Sequence, residues 1–396
     1  MTNHDSSNST TSETAANTET LAFYFPNYHR DPRNETRYGQ GWTEWELVRA
    51  ARPRFAGHAQ PKIPAWGYED EADPKVFSKK IDAAADYGIS GFLFDWYAYD
   101  DGYFLNRALD EGFLTADNVH RLKFVLMWAN HDWVDIFPDT VGKIPELHYD
   151  GAVTRATFEA FTDDVIERYF KHPSYLCVDG RPFFSIFSTY RFVQGLGGLE
   201  AAMDALKTFR QKTMEAGFAG LHVNAILSGL TLPDATVQAA LKLNGANDLA
   251  RTLELDSVMP YVWLKHFDQA QSFPTCDYLE TLAREVQGWH EVAAEFKIDS
   301  FPNVTVGWDA TPRCDPHYPF EFGEYPHVPV LGDNTPEAFK TALETAKAFV
   351  EGRPGPRIVS LNAWNEWTEG SYLEPETKHG NAYLEAVRAV FGGERS

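Results

Sequence analysis

Short apolar runs of strand length alternate with longer segments of helical period along most of this chain. The runs are rich in β-branched and aromatic residues and mostly apolar on both faces, which is typical of parallel strands covered by helices. They span residues 21–28, 90–97, 123–129, 182–188, 222–227, 257–264, 304–309 and 357–364. The helical segments that follow them span residues 73–87, 104–112, 155–170, 199–217, 234–253, 278–296, 336–350 and 382–391.

Eight strands, each followed by a helix, is the count of a (β/α)₈ barrel. The sequence therefore predicts an α/β fold with a single TIM barrel. A doubly wound open sheet with an appended domain would show a similar alternation. However, the chain has no GxGxxG motif after the first strand and no change of composition that would mark a linker.

The longest connection of the predicted barrel follows its first strand and runs from about His29 to Glu71. The active site of such a barrel is built from the loops that follow the strands, and a connection of this length is usually functional. It contains the run GWTEW at residues 41–45, with two tryptophans and a carboxylate close together. The alternative is a structural cluster that folds the insertion back on itself.

The first twenty residues, MTNHDSSNSTTSETAANTET, lack the basic start and the apolar centre of a secretory signal. We therefore expect residues 1–20 to be a disordered tail, residues 21–396 to be the catalytic barrel, and the protein to be cytoplasmic. Cys177, Cys276 and Cys314 lie far apart, without disulfide or metal-ligand spacing, and are expected to be free thiols.

The charge balance limits the partners that the protein can bind. Lys and Arg total 35 against 57 Asp and Glu, which gives a formal net charge of -22. This excess of negative charge argues against nucleic acid or an anionic membrane surface as a partner. The chain has no run of about 18 apolar residues, so no membrane insertion is expected. The sequence leaves the oligomeric state open.

The strongest candidate for chemistry follows the eighth predicted strand, in the run LNAWNEWTEG at residues 361–370. Strand alternation ends near Trp364, so Asn365, Glu366 and Glu369 fall at the catalytic rim of the barrel. Glycosidic cleavage needs one carboxylic acid to protonate the leaving oxygen and a second carboxylate as base or nucleophile. The flanking tryptophans offer flat faces to a sugar. The alternative is a solvated loop whose acids cap the next helix.

Three other predicted strands end in a similar combination of tryptophan with Asp or Asn. These ends are FDWY at residues 94–97, MWANHDW at residues 127–133 and GWDATPR at residues 307–313. One such pair is more often structural, but four strand ends together favour a pocket with aromatic walls and converging polar groups. The pattern indicates an oligosaccharide or polysaccharide substrate.

Metal catalysis is the alternative that the histidines raise. A barrel metallohydrolase typically has a His-x-His pair after its first strand, where this chain has YHR at residues 28–30, and HExxH does not occur. The GxSxG elbow of a serine nucleophile is also missing. We therefore predict neither a metal nor a cofactor. Histidines near predicted strand ends are expected to bind ligand hydroxyls or to be ordinary loop residues: His29, His131, His266, His317 and His379.

Four motifs add a family resemblance to this interpretation. They are FYFPNYH at residues 23–29, GWTEW at 41–45, WANHDW at 128–133 and NAWNEWTEGSYLEP at 362–375. Together they resemble the WbsX-like family, which is labelled as glycosyltransferase and is related to glycoside hydrolase family 99. The resemblance extends from about residue 21 to 390. The last motif is long and specific, whereas the motif at 128–133 is looser.

The resemblance implies a retaining, endo-acting α-mannosidase or mannanase on a (β/α)₈ barrel. In family 99 the first Glu of the Asn-Glu-Trp-x-Glu-Gly motif takes the proton of the sugar 2-hydroxyl, which leads to a 1,2-anhydro sugar. The second Glu is the acid and then the base for water. Glu366 would thus be the 2-hydroxyl base and Glu369 the acid/base. WbsX-like sequences commonly have Glu near His131 or Asp132 and a Tyr-rich stretch at residues 95–97, so mannose specificity is not transferred.

The sequence thus predicts a metal-independent, retaining glycoside hydrolase for an α-glycoside of a sugar with an axial 2-hydroxyl, such as mannose or rhamnose. Two alternatives remain open. One is a glycosyltransferase of polysaccharide or O-antigen synthesis, although no convincing diphosphate site is found. The other is a non-catalytic sugar-binding barrel. Beside the catalytic Glu366 and Glu369, the expected substrate-binding residues are Tyr28, His29, Trp42, Trp45, Asp95, Trp96, Trp128, Asn130, His131, Asp132, Trp133, Asp309, Asn365 and Trp367.

Overall fold

The computed structural model describes residues 17–135, 138–231, 235–263 and 272–393 of the chain. Three sequence predictions fall partly outside these described residues. They concern residues 1–16 of the tail, residue 234 at the start of a helix, and residue 264 at the end of the sixth strand together with His266. The first strand begins at Glu19, inside the segment that was predicted to be a tail.

Within the described ranges, nine parallel strands form one continuous sheet that curls into a barrel. They are β1 (Glu19–Tyr24), β2 (Gly91–Tyr99), β3 (Lys123–Trp128), β4 (Arg181–Ile186), β5 (His222–Ile226), β6 (Ser257–Met259), β7 (Asp299–Ser300), β8 (Asn303–Thr305) and β9 (Ile358–Asn362). Their hydrogen-bonded order is β7-β6-β5-β4-β3-β2-β1-β9-β8. The predicted α/β fold with a single barrel sheet is confirmed.

The two ends of this order are consecutive pieces of the chain, because only Phe301 and Pro302 separate β7 from β8. β7 pairs with β6 through Ser257↔Asp299, and β8 pairs with β9 through Asn303↔Ser360. Together β7 and β8 fill the seventh barrel position and close the ring. Proline has no N–H for a ladder, which explains why the seventh strand is interrupted at Pro302.

The helices follow the predicted order. Six of them match predicted segments to within a few residues: Pro74–Asp86, Arg155–Val165, Leu199–Glu215, Tyr278–Glu295, Pro336–Glu351 and Ala382–Phe391. The first begins where Asp73 accepts a hydrogen bond from the backbone N–H of Lys75, with proline in the first turn. Helix Arg155–Val165 continues as a π-helical turn at Ile166–Phe170.

Two helix predictions differ from the structure. Segment 234–253 forms two helices, Ala235–Leu241 and Ala246–Thr252, because Gly245 between them has a φ of 140°. Segment 104–112 begins in a short strand, Gly102–Phe104, that folds back antiparallel to β2 and is followed by a π-helical turn at Ala108–Phe113.

The long first connection is not structureless, since it contains helices Pro32–Tyr38 and Trp45–Ala50. A further helix, Thr189–Gly195, follows β4. Single helical turns lie at Val119–Arg121, Leu227–Leu230, Thr311–Arg313 and Trp367–Glu369. The remaining short strands are Trp133–Val134, Leu147–Tyr149, Cys177–Val178, Thr275–Asp277, Val330–Gly332, Asn365–Glu366 and Ser371–Tyr372.

Successive side chains of a strand point to opposite faces, so each barrel strand contributes to two different layers. Along β2, Phe94 and Trp96 pack in the layer between the sheet and the helices. Leu93 and Tyr97 pack in the layer inside the barrel. Asp95 therefore shares the inner face, and this alternation decides which predicted residues reach the site.

Candidate active site

A cavity of about 310 Å³ lies where the barrel strands end at their carboxyl side. Its walls combine aromatic rings with buried carboxyl groups and one arginine. Its polar lining residues include Asp95, Tyr261, Arg313, Tyr325, Glu366 and Glu369. This is the position at which active sites of TIM barrels are built.

The two glutamates of the last motif both face this cavity because the chain reverses immediately after β9. Glu366 ends a short strand that pairs antiparallel with Ser371–Tyr372, and Glu369 ends the helical turn between them. Gly370 closes the turn with a φ of 63°, and a Cβ there would lie 2.6 Å from Cβ of Asp309. Only glycine fits this close approach, so the turn holds Glu366 and Glu369 against the end of the seventh strand.

One guanidinium connects the carboxylates of the site. Nη2 of Arg313 lies 2.9 Å from Oε1 of Glu44 and 3.4 Å from Oε2 of Glu366, and Nη1 pairs with Oε1 of Glu369. Arg313 is buried, and a buried arginine needs such partners to offset its desolvation. Sequence reasoning did not include Arg313 among the site residues, although it belongs to the strand-end run at residues 307–313.

The first loop therefore reaches the site through Glu44. Its Oε1 accepts a hydrogen bond from Oγ1 of Thr368 at 2.5 Å, and its Oε2 accepts one from Nδ2 of Asn27 at 2.5 Å. Glu44 is completely buried. It lies in the GWTEW motif, but only the two tryptophans of that motif were predicted to contact substrate.

Two tyrosines donate hydrogen bonds to the carboxyl groups. The Tyr261 hydroxyl lies 3.1 Å from Oδ2 of Asp95 and 3.1 Å from Oε1 of Glu366. The Tyr325 hydroxyl donates to Oε1 of Glu369 at 2.7 Å. Oδ1 of Asp95 and Oε2 of Glu369 are buried and have no partner within the described chain. These two oxygens therefore have unused hydrogen-bonding capacity.

Burial dominates the electrostatics of the site. It raises the pKa of Asp95 well above its ordinary value. The pKa of Glu366 is raised well above its ordinary value by burial and then by the charge of Glu369. Burial also raises the pKa of Glu369, although Arg313 and the Tyr325 hydrogen bond act against it. Carboxyl groups that keep a proton to higher pH can act as general acids.

Aromatic rings form the opposite wall of the cavity. Tyr97, His131, Trp133 and Phe187 all line it. The rings of Tyr97 and Trp133 meet edge to face, with centroids 5.3 Å apart. Burial lowers the pKa of His131, so its imidazole is neutral at pH 7. Asp132 also lines the cavity.

The carboxylate of Asp132 is committed to protein partners. Its Oδ2 pairs with the guanidinium of Arg191, and its Oδ1 accepts a hydrogen bond from the backbone N–H of Gly151 at 3.0 Å. Among the predicted residues, the cavity thus brings together Asp95, His131, Asp132, Trp133, Glu366 and Glu369.

The predicted residues of the first loop lie outside this cavity. The Trp45 ring packs on Tyr28 at 4.2 Å and donates its N–H to the carbonyl of Glu69. The ring of Trp42 stacks on Tyr38 instead. His29 is completely buried, and burial lowers its pKa to about 3. These residues shape the loop.

Trp96 and Trp128 face the helices because of strand alternation, and Asn130, which follows β3, does not line the cavity either. Trp128 packs among the helices and donates its N–H to the carbonyl of Ala98 at 3.1 Å. The amide of Asn130 exchanges two hydrogen bonds with the backbone of Ser188, at 2.7 and 2.8 Å. The prediction that these three side chains contact substrate is not supported by their placement.

Three predicted residues at the seventh and eighth strand ends have structural partners instead. Asp309 accepts hydrogen bonds from Nε2 of Gln60 at 2.6 Å and pairs with His58 at 2.8 Å. Asn365 bonds both backbone groups of Phe25 and thereby connects the ends of β1 and β9.

The third of these residues, Trp367, belongs to a buried charge cluster outside the cavity lining. Its N–H donates to Oε2 of Glu374 at 2.7 Å, and its ring stacks on Tyr372 at 3.8 Å. Nζ of Lys80 lies 2.7 Å from Oε1 of Glu374 and 2.7 Å from Oε1 of Glu71. None of these residues lines the cavity.

The described residues contain neither a candidate metal cluster nor a candidate membrane-spanning helix. No group of three or more His, Cys, Asp and Glu side chains in the described ranges is arranged to hold a metal ion. No helix found there is long and apolar enough to cross a bilayer. Cys177 is exposed, whereas Cys276 and Cys314 are buried, and all three are free thiols.

Comparison with known proteins gives a family match. The sequence model of the family described as Glycosyltransferase WbsX matches residues 20–387. Two curated relatives, both described as uncharacterized protein WxcX from strains of Xanthomonas campestris pv. campestris, are 29% identical over 380 residues. The match covers 93% of this chain and 49% of each relative, so the chain spans about half the length of the curated relatives it matches.

Solved structures give the likeness of fold. A structure described as the GH99 endo-α-mannosidase from Bacteroides thetaiotaomicron aligns with a TM-score of 0.56 at 16% identity, over 94% of this chain and 96% of that one. A structure described as a glycoside hydrolase-like protein aligns with a TM-score of 0.58 at 15% identity, over 95% of this chain and 94% of that one. At these identities the likeness shows a shared glycoside-hydrolase-type barrel fold.

Proposed function

The chain belongs to the family described as Glycosyltransferase WbsX, and we propose that it acts on glycosidic bonds and does so as a retaining glycoside hydrolase. The observation that carries this proposal is the burial of Glu366 and Glu369 in one cavity, on one shared arginine. The proposed substrate is an oligosaccharide or polysaccharide with an α-linked sugar whose 2-hydroxyl is axial, such as mannose or rhamnose.

In the first step Glu366, as carboxylate, takes the proton of the sugar 2-hydroxyl. The 2-oxygen then forms a bond to the anomeric carbon while the bond from that carbon to the leaving oxygen breaks. Glu369 gives its proton to the leaving oxygen. The products are a 1,2-anhydro sugar and the released hydroxyl compound, with Glu366 protonated and Glu369 ionised.

In the second step Glu369 takes a proton from water, and the water oxygen attacks the anomeric carbon. The bond from this carbon to the 2-oxygen breaks, and Glu366 returns its proton to the 2-oxygen. Two inversions at the anomeric carbon give net retention. Both glutamates end in the protonation states in which they began, as a catalytic cycle requires.

Bound substrate determines which of Glu366 and Glu369 carries the proton. A 2-hydroxyl that donates a hydrogen bond stabilises the ionised form of Glu366, and a glycosidic oxygen that accepts one stabilises the protonated form of Glu369. In the substrate-free site the pKa of Glu366 is raised well above its ordinary value, whereas Arg313 and the Tyr325 hydrogen bond act against the rise at Glu369. Binding therefore has to redistribute the proton, and the free oxygen Oε2 of Glu369 is placed to carry it.

The buried acids also suit the transition state. Glycosidic cleavage passes through an oxocarbenium-like state with positive charge on the sugar. Asp95, Glu366 and Glu369 surround the cavity, whereas Arg313 is already paired with carboxylates. Whichever of Glu366 and Glu369 is ionised favours positive charge that develops inside the cavity.

The family description favours a second candidate function, glycosyl transfer from a sugar nucleotide. Such a donor has a diphosphate, which cationic groups usually bind. Among the lining residues in the described ranges, Arg313 is the only lysine or arginine, and its guanidinium contacts Glu44, Glu366 and Glu369. Hydrolysis is therefore the better supported proposal. Calorimetric titration with nucleotide sugars tests transfer, since binding of the nucleotide part would favour it.

The experiment that tests hydrolysis is product analysis. The protein is incubated with mannans, rhamnans and O-antigen-type glycans, and the products are identified by mass spectrometry and NMR, with Glu366→Gln and Glu369→Gln as controls. We expect released sugar with retained anomeric configuration from the wild-type chain. Unchanged activity in both variants would disprove the assignment, and binding without turnover would favour a non-catalytic sugar-binding barrel.

A further inference from the structure

A second cavity, of about 420 Å³, adjoins the first at the sixth and seventh barrel positions. It lies between these strands and the helix Tyr278–Glu295. Its volume is in the range of small-molecule sites. Four residues line both cavities: Phe187, Tyr261, Tyr325 and Glu369.

The second cavity exists because the barrel wall is open there. The ladder between β6 and β7 ends with the hydrogen bond from the N–H of Phe301 to the carbonyl of Val258 at 3.0 Å. The next donor on the β6 side would be residue 260, which is a proline without an N–H. Pro260 and Pro302 both line the cavity. Two prolines thus separate the ends of the sixth and seventh strands.

Three residues that line this second cavity each contain a buried polar atom with unused hydrogen-bonding capacity. Trp289, Trp308 and Ser300 are each more than nine-tenths buried. The indole N–H groups of the two tryptophans and the hydroxyl of Ser300 have no hydrogen-bond partner in the described part of the chain. Buried polar groups are usually paired, so unpaired groups on one cavity point to a ligand that pairs with them.

We propose that the second cavity binds the sugar unit on the leaving-group side of the scissile bond. This inference rests on the proposed hydrolysis. Glu366 lines only the first cavity, whereas Glu369 lines both. The acid must reach the oxygen that joins the two sugar units. The unit whose 2-hydroxyl meets Glu366 therefore occupies the first cavity, and the unit released with Glu369's proton occupies the second.

The chemistry of the walls fits a neutral pyranose. Tryptophan presents an apolar face to sugar C–H groups and an N–H to sugar oxygens. Glu285, Glu291 and Glu295 also line the cavity, and its lining residues within the described ranges include neither lysine nor arginine. A uronic acid or a phosphorylated sugar would meet like charge there. The second cavity thus selects an uncharged leaving unit.

The test compares two substrates of the same sugar in the variants Trp289→Phe and Trp308→Phe, which keep a ring and remove the N–H. One substrate is the oligosaccharide that the wild-type chain cleaves, and the other is the matching α-glycosyl fluoride, whose leaving group is too small to use the second cavity. We expect kcat/KM to fall about 5- to 10-fold for the oligosaccharide, the loss typical of one hydrogen bond. We expect the fluoride to be hydrolysed at the wild-type rate.

The matched control is Trp364→Phe, since the Trp364 N–H is also buried without a partner but Trp364 lines neither cavity. Equal losses on both substrates, or no loss on either, would overturn the proposal. If the wild-type chain cleaves neither substrate, the proposed hydrolysis is wrong, and the second cavity is tested by sugar binding instead. The indole signals of Trp289 and Trp308 are then followed by NMR while mannan and rhamnan oligosaccharides are added. Movement of these signals supports the second cavity as a sugar site, and unmoved signals refute it.

Discussion

Nη2 of Arg313 lies 2.9 Å from Oε1 of Glu44. This contact joins the connection after the seventh strand to the loop after the first strand. Both side chains are buried. The negative charge of Glu44 raises the pKa of Glu366 and of Glu369. A residue that is not proposed to touch the reacting atoms thus adjusts the two that are.

Neutralising Glu44 should shift the pH dependence of activity. In Glu44→Gln the pKa of both Glu366 and Glu369 should fall, because a negative charge that raises it is removed. The acidic limb of kcat/KM reports ionisation of the base and the basic limb reports loss of the acid's proton, so both limbs should move to lower pH. The profile is measured between pH 4 and 9, with the exposed Glu46→Gln as control. A profile that stays in place would contradict this electrostatic role.

The two glutamates that we propose as catalytic should respond differently to leaving groups. General acid and base groups contribute about 10²–10⁴-fold to rate. In Glu369→Gln this loss should be large for poor leaving groups and small for activated aryl glycosides, which need no proton. Glu366→Gln should lose activity on both. Kinetics on a series of aryl glycosides measures the difference, and the opposite pattern would exchange the two roles.

Removing the Tyr261 hydroxyl should weaken catalysis without unfolding the barrel. This hydroxyl hydrogen-bonds both Asp95 and Glu366. Hydrogen bonds to charged groups contribute about 1.5–3 kcal/mol, so Tyr261→Phe should lower kcat/KM about 10- to 100-fold. Tyr103→Phe loses a comparable hydrogen bond, to Asp164, outside the cavity and serves as control. Equal activity in the two variants would show that the Tyr261 contacts are only structural.

Asp95 should make the protein less stable as pH rises. Burial raises its folded-state pKa, so the unfolded chain releases this proton at about pH 4, before the folded chain does. The contribution of Asp95 to stability is fully present below the pKa that it has in the unfolded chain. It is lost as the pH rises from that value to the raised pKa of the folded chain. Asp95→Asn should flatten this decline, whereas the exposed Asp101→Asn should not. Urea unfolding at pH 4 to 8 measures it, and parallel curves for wild type and Asp95→Asn would refute it.

The sequence predicts the barrel well, and it predicts that Glu366 and Glu369 lie together, because both depend on local pattern. Strand-length runs followed by helical periods recur around the ring, and Glu366 and Glu369 lie in one short turn after β9. Whether a strand residue faces the cavity is harder to predict. Asp95 and Trp96 are neighbours in a strand that is buried on both faces, and such a strand gives no polar side by which to orient it.

The partners of the acids could not be predicted from spacing. Tyr261 comes from the connection after the sixth strand, and Arg313 and Tyr325 come from the connection after the seventh; only the closed barrel brings them to Glu366 and Glu369. One signal in the sequence does indicate the position of Tyr261. Pro260 ends the sixth strand at Met259, which releases Tyr261 from the strand in which residues 257–264 had placed it.

The interrupted seventh strand also has a dynamic consequence. β6 and β7 share only two register pairs, Ser257↔Asp299 and Val258↔Ser300, whereas β2 and β3 share six. Local opening of a protein starts where few backbone hydrogen bonds resist it. The barrel therefore has a seam, and backbone amides at this seam should exchange with deuterium sooner than those of β2 and β3. The barrel sheet is continuous, but the pairing of β6 with β7 is its least stable part. This pairing borders the second cavity, which Glu369 also lines.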